Sequence, residues 1–244
     1  MENDLNFLNK SVKMIHLPEP IGSLVKEIEP KSITNFFGGP GTGKTNLCLL
    51  ASVDCISQGG RVVFIDTEGG LSFERLKQIA KDYENVLENM ELVEPKNLEE
   101  QGEAIKNLSG RKADLVVLDS AVALYRLEYS DVEQKKSREI NPQILEANRE
   151  LSRQLSLLSG LAREKNIPVI ITAHTFKNWL TGADEVVGGE AIKYWSKAII
   201  FLEKTGRSSE RKAMIVKHRH TEEGRSAKFL IVNEGIKPAG FKLF

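Results

Sequence analysis

Residues 38–45 read GGPGTGKT and follow directly on Ser32-Ile33-Thr34-Asn35-Phe36-Phe37, a run whose β-branched and aromatic residues predict a strand. A glycine-rich turn between a strand and a helix leaves backbone N–H groups pointing inward, and the helix adds the positive end of its dipole. Gly38, Gly43, Lys44 and Thr45 fit the G-x-x-x-x-G-K-[ST] pattern. In that pattern the lysine reaches the β- and γ-phosphates of a nucleotide and the hydroxyl binds magnesium. Gly39, Pro40, Gly41 and Thr42 complete the cradle. The segment requires a strand–loop–helix unit, and so an α/β architecture, before anything else is known.

The rest of the chain agrees with that requirement. Strands are expected over 32–37, 61–66, 90–93, 114–119, 168–173, 198–202, 213–216 and 228–232, and helices over 46–57, 73–83, 98–108 and 143–165. Strands alternating with helices predict a mostly parallel, twisted sheet covered on both faces, and the strand-only run after Trp195 predicts an antiparallel C-terminal extension. Residues 1–20, polar and proline-tipped, read as a short arm, with a single domain over 21–244.

Two further strand ends carry acids. Leu115-Val116-Val117-Leu118 is apolar on both faces and ends at Asp119, where a carboxylate emerging beside the phosphate loop would share a magnesium ion with Thr45. Val63-Phe64-Ile65 ends at Asp66-Thr67-Glu68. Of these, Glu68 is the better placed to polarise a water attacking a γ-phosphate, and Asp66 has the simpler alternative of satisfying loop N–H groups.

Composition excludes several classes of function. The 244 residues carry 34 Lys and Arg against 34 Asp and Glu, so attraction to nucleic acid must come from local patches and not from a global field. No apolar run is long enough to span a bilayer, and Glu2, Asp4 and Glu19 interrupt the place where a signal peptide would sit, which predicts a cytoplasmic protein without membrane partners. Cys48 and Cys55 fall on one helix, about 10 Å apart along its axis, too far for a disulfide.

The combination of GGPGTGKT, FIDTEGG followed by Glu74-Arg75, LVVLDS, and IITAH leading to Gly188-Gly189 resembles the RecA/RadA recombinase family over nearly all of the chain after residue 20. Within it the chain is most similar to the RadB group, short archaeal paralogues of RadA that consist of the ATPase core alone. The short arm and Lys217-His218-Arg219 favour that group. The resemblance implies a RecA-like P-loop NTPase core with ATP and Mg2+ as cofactors. Glu68 would be the water-activating glutamate and Arg75 the arginine stacked on adenine. It implies a DNA-binding protein of homologous recombination and repair that hydrolyses ATP slowly and acts as a mediator. Its implied partners are single-stranded and branched DNA, a RadA-type recombinase, other recombination proteins and further copies of itself.

One departure stands out. Recombinases carry Asn-Gln where this chain has Ala173-His174, so a γ-phosphate sensor here would be an imidazole in place of an amide, which puts DNA-stimulated turnover in question. Two loops are candidate DNA contacts through cations beside aromatics: Lys135, Lys136 and Arg138 in 126–141, and Lys177, Asn178 and Trp179 in 175–190. The first is diluted by Glu128, Asp131, Glu133 and Glu139, so the second is preferred. In RecA-like assemblies Lys217 and Arg219 would reach a neighbour's γ-phosphate. An ATP-switched binding module with negligible turnover, and a KaiC-like or helicase-like ATPase, remain open alternatives, since fold does not fix function.

Overall fold

The computed structural model describes residues 13–128, 142–177, 182 and 184–240. In chain order the elements are α1 (Ile21–Val25), β1 (Ile33–Gly38), α2 (Lys44–Ser57), β2 (Val62–Asp66), α3 (Phe73–Ile79), α4 (Tyr83–Asn89), β3 (Met90–Val93), α5 (Leu98–Asn107), β4 (Leu115–Asp119), α6 (Ala123–Leu127) and α7 (Pro142–Lys165). The chain continues through β5 (Val169–Ala173), β6 (Thr175–Lys177), β7 (Asp184–Val186), α8 (Gly189–Trp195), β8 (Ser196–Lys204), β9 (Glu210–Lys217), β10 (Ser226–Val232) and β11 (Gly235–Pro238).

Among the described residues one sheet has the order β11-β10-β9-β8-β1-β5-β4-β2-β3, and β6 and β7 form a separate ribbon. Strands β8, β1, β5, β4, β2 and β3 run parallel. From β9 onward pairing is antiparallel. The change of direction therefore falls inside the strand-only run: β8 lies parallel to β1 on one side and antiparallel to β9 on the other.

Alternation along the strands sorts the core into two layers. Ile33, Phe37, Val63, Ile65, Val116, Leu118, Val169 and Ile171 face α5, α6, α7 and α8. Phe36, Val62, Phe64, Leu115, Val117 and Ile170 face α1, α2, α3 and α4. Strands buried on both faces explain the near-continuous apolar runs in the sequence. Phe36 and Phe64, fully buried beneath α2, each contribute about 1.5–3 kcal/mol of apolar burial.

Three local departures from expectation have physical causes. The helix expected over 73–83 ends at Ile79, because Ala80 is extended at φ −85°, ψ 125°, and a second helix, α4, outside the expected set, starts beyond it with Asp82 accepting from the Asn85 N–H. Part of the 175–190 loop is the β6–β7 ribbon, with Phe176 opposite Glu185. Within 1–20, Ile15 and Leu17 are anchored in the core. Ile15 bridges Ile28, Leu17 is buried, and the His16 N–H donates to Asp54 at 2.9 Å.

Candidate active site

Parallel register brings the ends of β1, β2, β4 and β5 to one edge, with Asp66 opposite Asp119 and Phe37 opposite Ala173. Ligands on open α/β sheets sit at this carboxyl edge. Here it carries a cavity of about 360 Å³ whose lining includes Lys44, Thr45, Asn46, Leu49, Glu68, Ser72, Arg75, Asp119, His174 and Ile231.

The 38–45 turn closes on itself. Thr42 Oγ1 donates to the Gly39 carbonyl at 2.8 Å, and Lys44 Nζ donates to the Gly38 and Gly39 carbonyls at 3.0 and 3.1 Å. Gly41 and Gly43 adopt φ of 68° and 101°, a left-handed backbone that side chains rarely tolerate. Helix α2 begins at Lys44. Burial lowers the lysine's pKa, opposed by the charges of Asp119 and Glu68. From outside the turn, Arg211 Nε on β9 donates to the Gly41 carbonyl at 2.8 Å.

Asp119 is buried, and Thr172 Oγ1 donates to its Oδ1, with the Thr45 hydroxyl also within hydrogen-bonding reach. Burial nevertheless raises its carboxyl above the usual range, and the negative charges of Glu68 and Asp66 act in the same direction. A buried carboxyl raised and a lysine lowered, both chiefly by burial, at one cavity mark it as a candidate functional site.

Asp66 is consumed by the backbone. Its Oδ1 accepts from the N–H groups of Glu68 and Gly70 at 3.1 and 3.2 Å, and its Oδ2 from Leu71 at 2.8 Å. These three bonds fold the turn that presents Glu68 to the cavity. Thr67 fastens that turn to β4: its N–H donates to the Asp119 carbonyl and its hydroxyl exchanges hydrogen bonds with the Ser120 backbone, each at 2.8 Å. Glu68 Oε1 lies 2.6 Å from His174 Nε2. That hydrogen bond is the largest cause lowering the Glu68 pKa, partly opposed by burial.

The 21–239 segment matches the Rad51 family profile. The chain belongs to the Rad51 family. It is 42% identical over 212 residues to the DNA repair and recombination protein RadB of Methanococcus maripaludis (strain C5), covering 86% of this chain and 93% of the relative. To the RadB protein of Methanobrevibacter smithii it is 38% identical over 219 residues, covering 86% and 88%. A crystal structure described as the RadB recombinase superposes with a TM-score of 0.74 at 30% identity, over 91% of this chain and 97% of that one. Within the Rad51 family these likenesses put the chain in the archaeal RadB branch.

Lys217, Arg219 and Lys177 of this Rad51-family chain are not among the residues that line the cavity. Lys217 Nζ donates to the carbonyls of Lys193 and Ser196 at 2.8 and 2.9 Å, closing the C-terminal end of α8. Arg219 pairs with Glu29 at 3.3 Å. Lys177 is exposed on β6, opposite Asp184. Asn178, Trp179, Lys135, Lys136 and Arg138 lie outside the described residues. Conversely, Asn46, Ser72 and Ile231 line the cavity without having been read from the sequence. Asn46 had a usable signal, following Thr45 directly. Ile231 on β10, and Arg211 on β9 at the back of the phosphate loop, had none, because strand pairing alone brings them to their places. Among the described residues no helix is long and apolar enough to cross a membrane.

Proposed function

We propose that this chain is an ATP- and DNA-binding protein of homologous recombination and DNA repair that hydrolyses ATP slowly and acts as a mediator with a RadA-type recombinase. The observation that carries the reading is the convergence of Lys44, Thr45, Asp119 and Glu68 on one cavity at the carboxyl edge of the sheet. The names of the RadB relatives support the assignment to repair and recombination.

The residues fit a nucleotide with magnesium. Lys44 is an ammonium whose present partners are neutral carbonyls, so a polyphosphate would supply the charge it lacks. Thr45 and Asp119 would hold the metal. Among the described residues no cluster of three or more His, Cys, Asp or Glu could hold an ion. Magnesium keeps several waters and takes one or two protein ligands plus phosphate, a set to which Thr45 and Asp119 would contribute. When bound, magnesium neutralises charge on the phosphates.

Glu68 is the group to orient a water and accept its proton. Its engagement by His174 at 2.6 Å favours slow turnover, and taken further supports a second reading, an ATP-switched module with negligible hydrolysis. Lys177, with Asn178 and Trp179, is proposed as the DNA contact ahead of Lys135, Lys136 and Arg138, and Lys217 and Arg219 as cations acting on a neighbour's nucleotide.

Titration of single-stranded DNA with and without magnesium-ATP, alongside ATPase rates, tests the assignment. Binding that weakens steeply with salt is expected. Absence of both ATP and DNA binding would refute it.

A further inference from the structure

A loop that holds an anion with its backbone N–H groups has to send its carbonyl oxygens elsewhere, since a carbonyl turned inward would repel the phosphate. Three carbonyls of the 38–45 turn are held from within the segment that contains it. Those of Gly38 and Gly39 accept from Lys44 Nζ, that of Gly39 also from Thr42 Oγ1, and that of Gly43 from the Leu47 N–H at 3.0 Å. Gly41 is different. Its carbonyl accepts from Arg211 Nε at 2.8 Å, and that residue lies 170 positions away on β9.

Gly41 also lacks the anchor that the start of α2 gives Gly43. It sits at φ 68°, and a glycine moves between backbone conformations more readily than any other residue. Arg211 is itself fixed. Its Nη1 donates to the carbonyls of Ser208 and Glu210 at 2.8 and 2.9 Å, which ties the guanidinium to the connection between β8 and β9. Opposite it in the β8–β9 pairing stands Lys204, whose Nζ would lie 3.2 Å from a Cβ built on Gly41. Neither cation is among the residues that line the cavity, so this hairpin meets the loop from behind.

We propose that Arg211 is a positioning residue for phosphate binding: by holding the Gly41 carbonyl on the β9 side, it keeps the 41–42 peptide in the orientation in which the loop receives a polyphosphate. The inference rests on the phosphate-loop reading and names what preorganises that loop. The C=O and N–H of a trans peptide point in opposite directions. The 41–42 bond is trans, so a carbonyl fixed toward β9 leaves the Thr42 N–H on the inner side of the turn. A loop set in advance binds its anion without first having to order a glycine. Arg211 touches no phosphate in this role and acts through the Gly41 peptide.

Deleting an arginine near a phosphate site also removes a charge, so the test compares two neutral variants, Arg211→Gln and Arg211→Met. Glutamine puts an N–H donor where Arg211 has Nε, and methionine puts a methyl group there. Both lose the charge and the Nη1 contacts alike, so a role confined to either would treat them equally. Affinity for magnesium-ATP and for magnesium tripolyphosphate, measured by calorimetry, is expected to be about tenfold tighter in Arg211→Gln than in Arg211→Met, the scale of one hydrogen bond. The ratio should be the same for the two ligands, because the peptide meets only phosphate. Without ligand, amide exchange over 38–45 should be faster in Arg211→Met. Both variants should fold, as Arg211 is partly exposed, and circular dichroism checks this. Affinities within about twofold of each other, or equal exchange over 38–45, overturn the inference and leave the phosphate loop standing. A ratio seen with ATP and absent with tripolyphosphate does the same. Failure of the wild type to bind either ligand overturns the phosphate-loop reading and the inference with it.

Discussion

Glu68 and His174 are joined by a 2.6 Å hydrogen bond that links the turn after β2 to the end of β5 across the mouth of the cavity. The residue proposed to activate water and the residue standing where recombinases carry an amide therefore hold each other. The Asn-to-Ala and Gln-to-His departure from the family pattern is thus tied, through one contact, to the carboxylate.

The pair has a pH signature. The His174 hydrogen bond, opposed by burial and assisted by Ser120 and Lys44, holds the Glu68 carboxyl below its ordinary value of 4.5. A carboxyl lowered in the fold stabilises it above the ordinary value, and that contribution is lost as pH falls through the lowered one. The gap in melting temperature between wild type and Glu68→Ala is expected to be full at neutral pH and to close on acidification below about pH 4.5. In a His174→Ala background the gap should lose most of this dependence. A gap independent of pH in thermal melts from pH 3 to 7 would show that the contact does not persist in solution.

Lys44→Ala is expected to weaken magnesium-ATP binding by roughly a hundredfold, the scale of a lost charge-assisted hydrogen bond. The fold should survive, because the lysine's present partners are two carbonyls at the rim of the loop. Calorimetry together with a circular dichroism spectrum checks both halves. Unchanged affinity would remove the phosphate-loop assignment.

Gly38→Ala should destabilise the protein with no nucleotide present. A Cβ there would lie 2.1 Å from the Leu202 carbonyl on β8 and 2.9 Å from Thr42 Oγ1, so the β1–β8 pairing must shift, at a cost of about 1–3 kcal/mol. Gly39→Ala meets nothing closer than 4.0 Å and should change stability by no more than about 0.5 kcal/mol. Urea unfolding midpoints of the two variants should differ accordingly; equal midpoints would contradict the close approach.

Arg219→Ala separates a surface role from action on a neighbour. Its pair with Glu29, at 3.3 Å and with the arginine side chain 48% exposed, is worth at most about 1 kcal/mol. Stability should therefore barely change while ATP turnover falls. Adding Lys44→Ala chains, which lack a working phosphate loop but keep Arg219, should restore turnover in mixed assemblies. If mixed assemblies form and no rescue follows, Arg219 does not act in trans.

The sequence by itself determined the phosphate loop, the acids at the ends of β2 and β4, and the alternation that makes a parallel sheet, because each is a local pattern written in contiguous residues. Tertiary structure alone decided what those residues do to one another. Asp66 folds a turn so that Glu68 faces the cavity, Asn46 and the carbonyls of Asn233 and Gly235 hold the Arg75 guanidinium in place, and Gly38 is required by a strand 164 positions later as much as by any phosphate. Such contacts join segments far apart in the chain, and nothing in the spacing of residues within either segment encodes which partner the sheet order will bring against it. The break between α3 and α4 lies between these cases. Its cap, Asp82, is visible in the sequence, but a cap marks a boundary only once the backbone at Ala80 has left the helix.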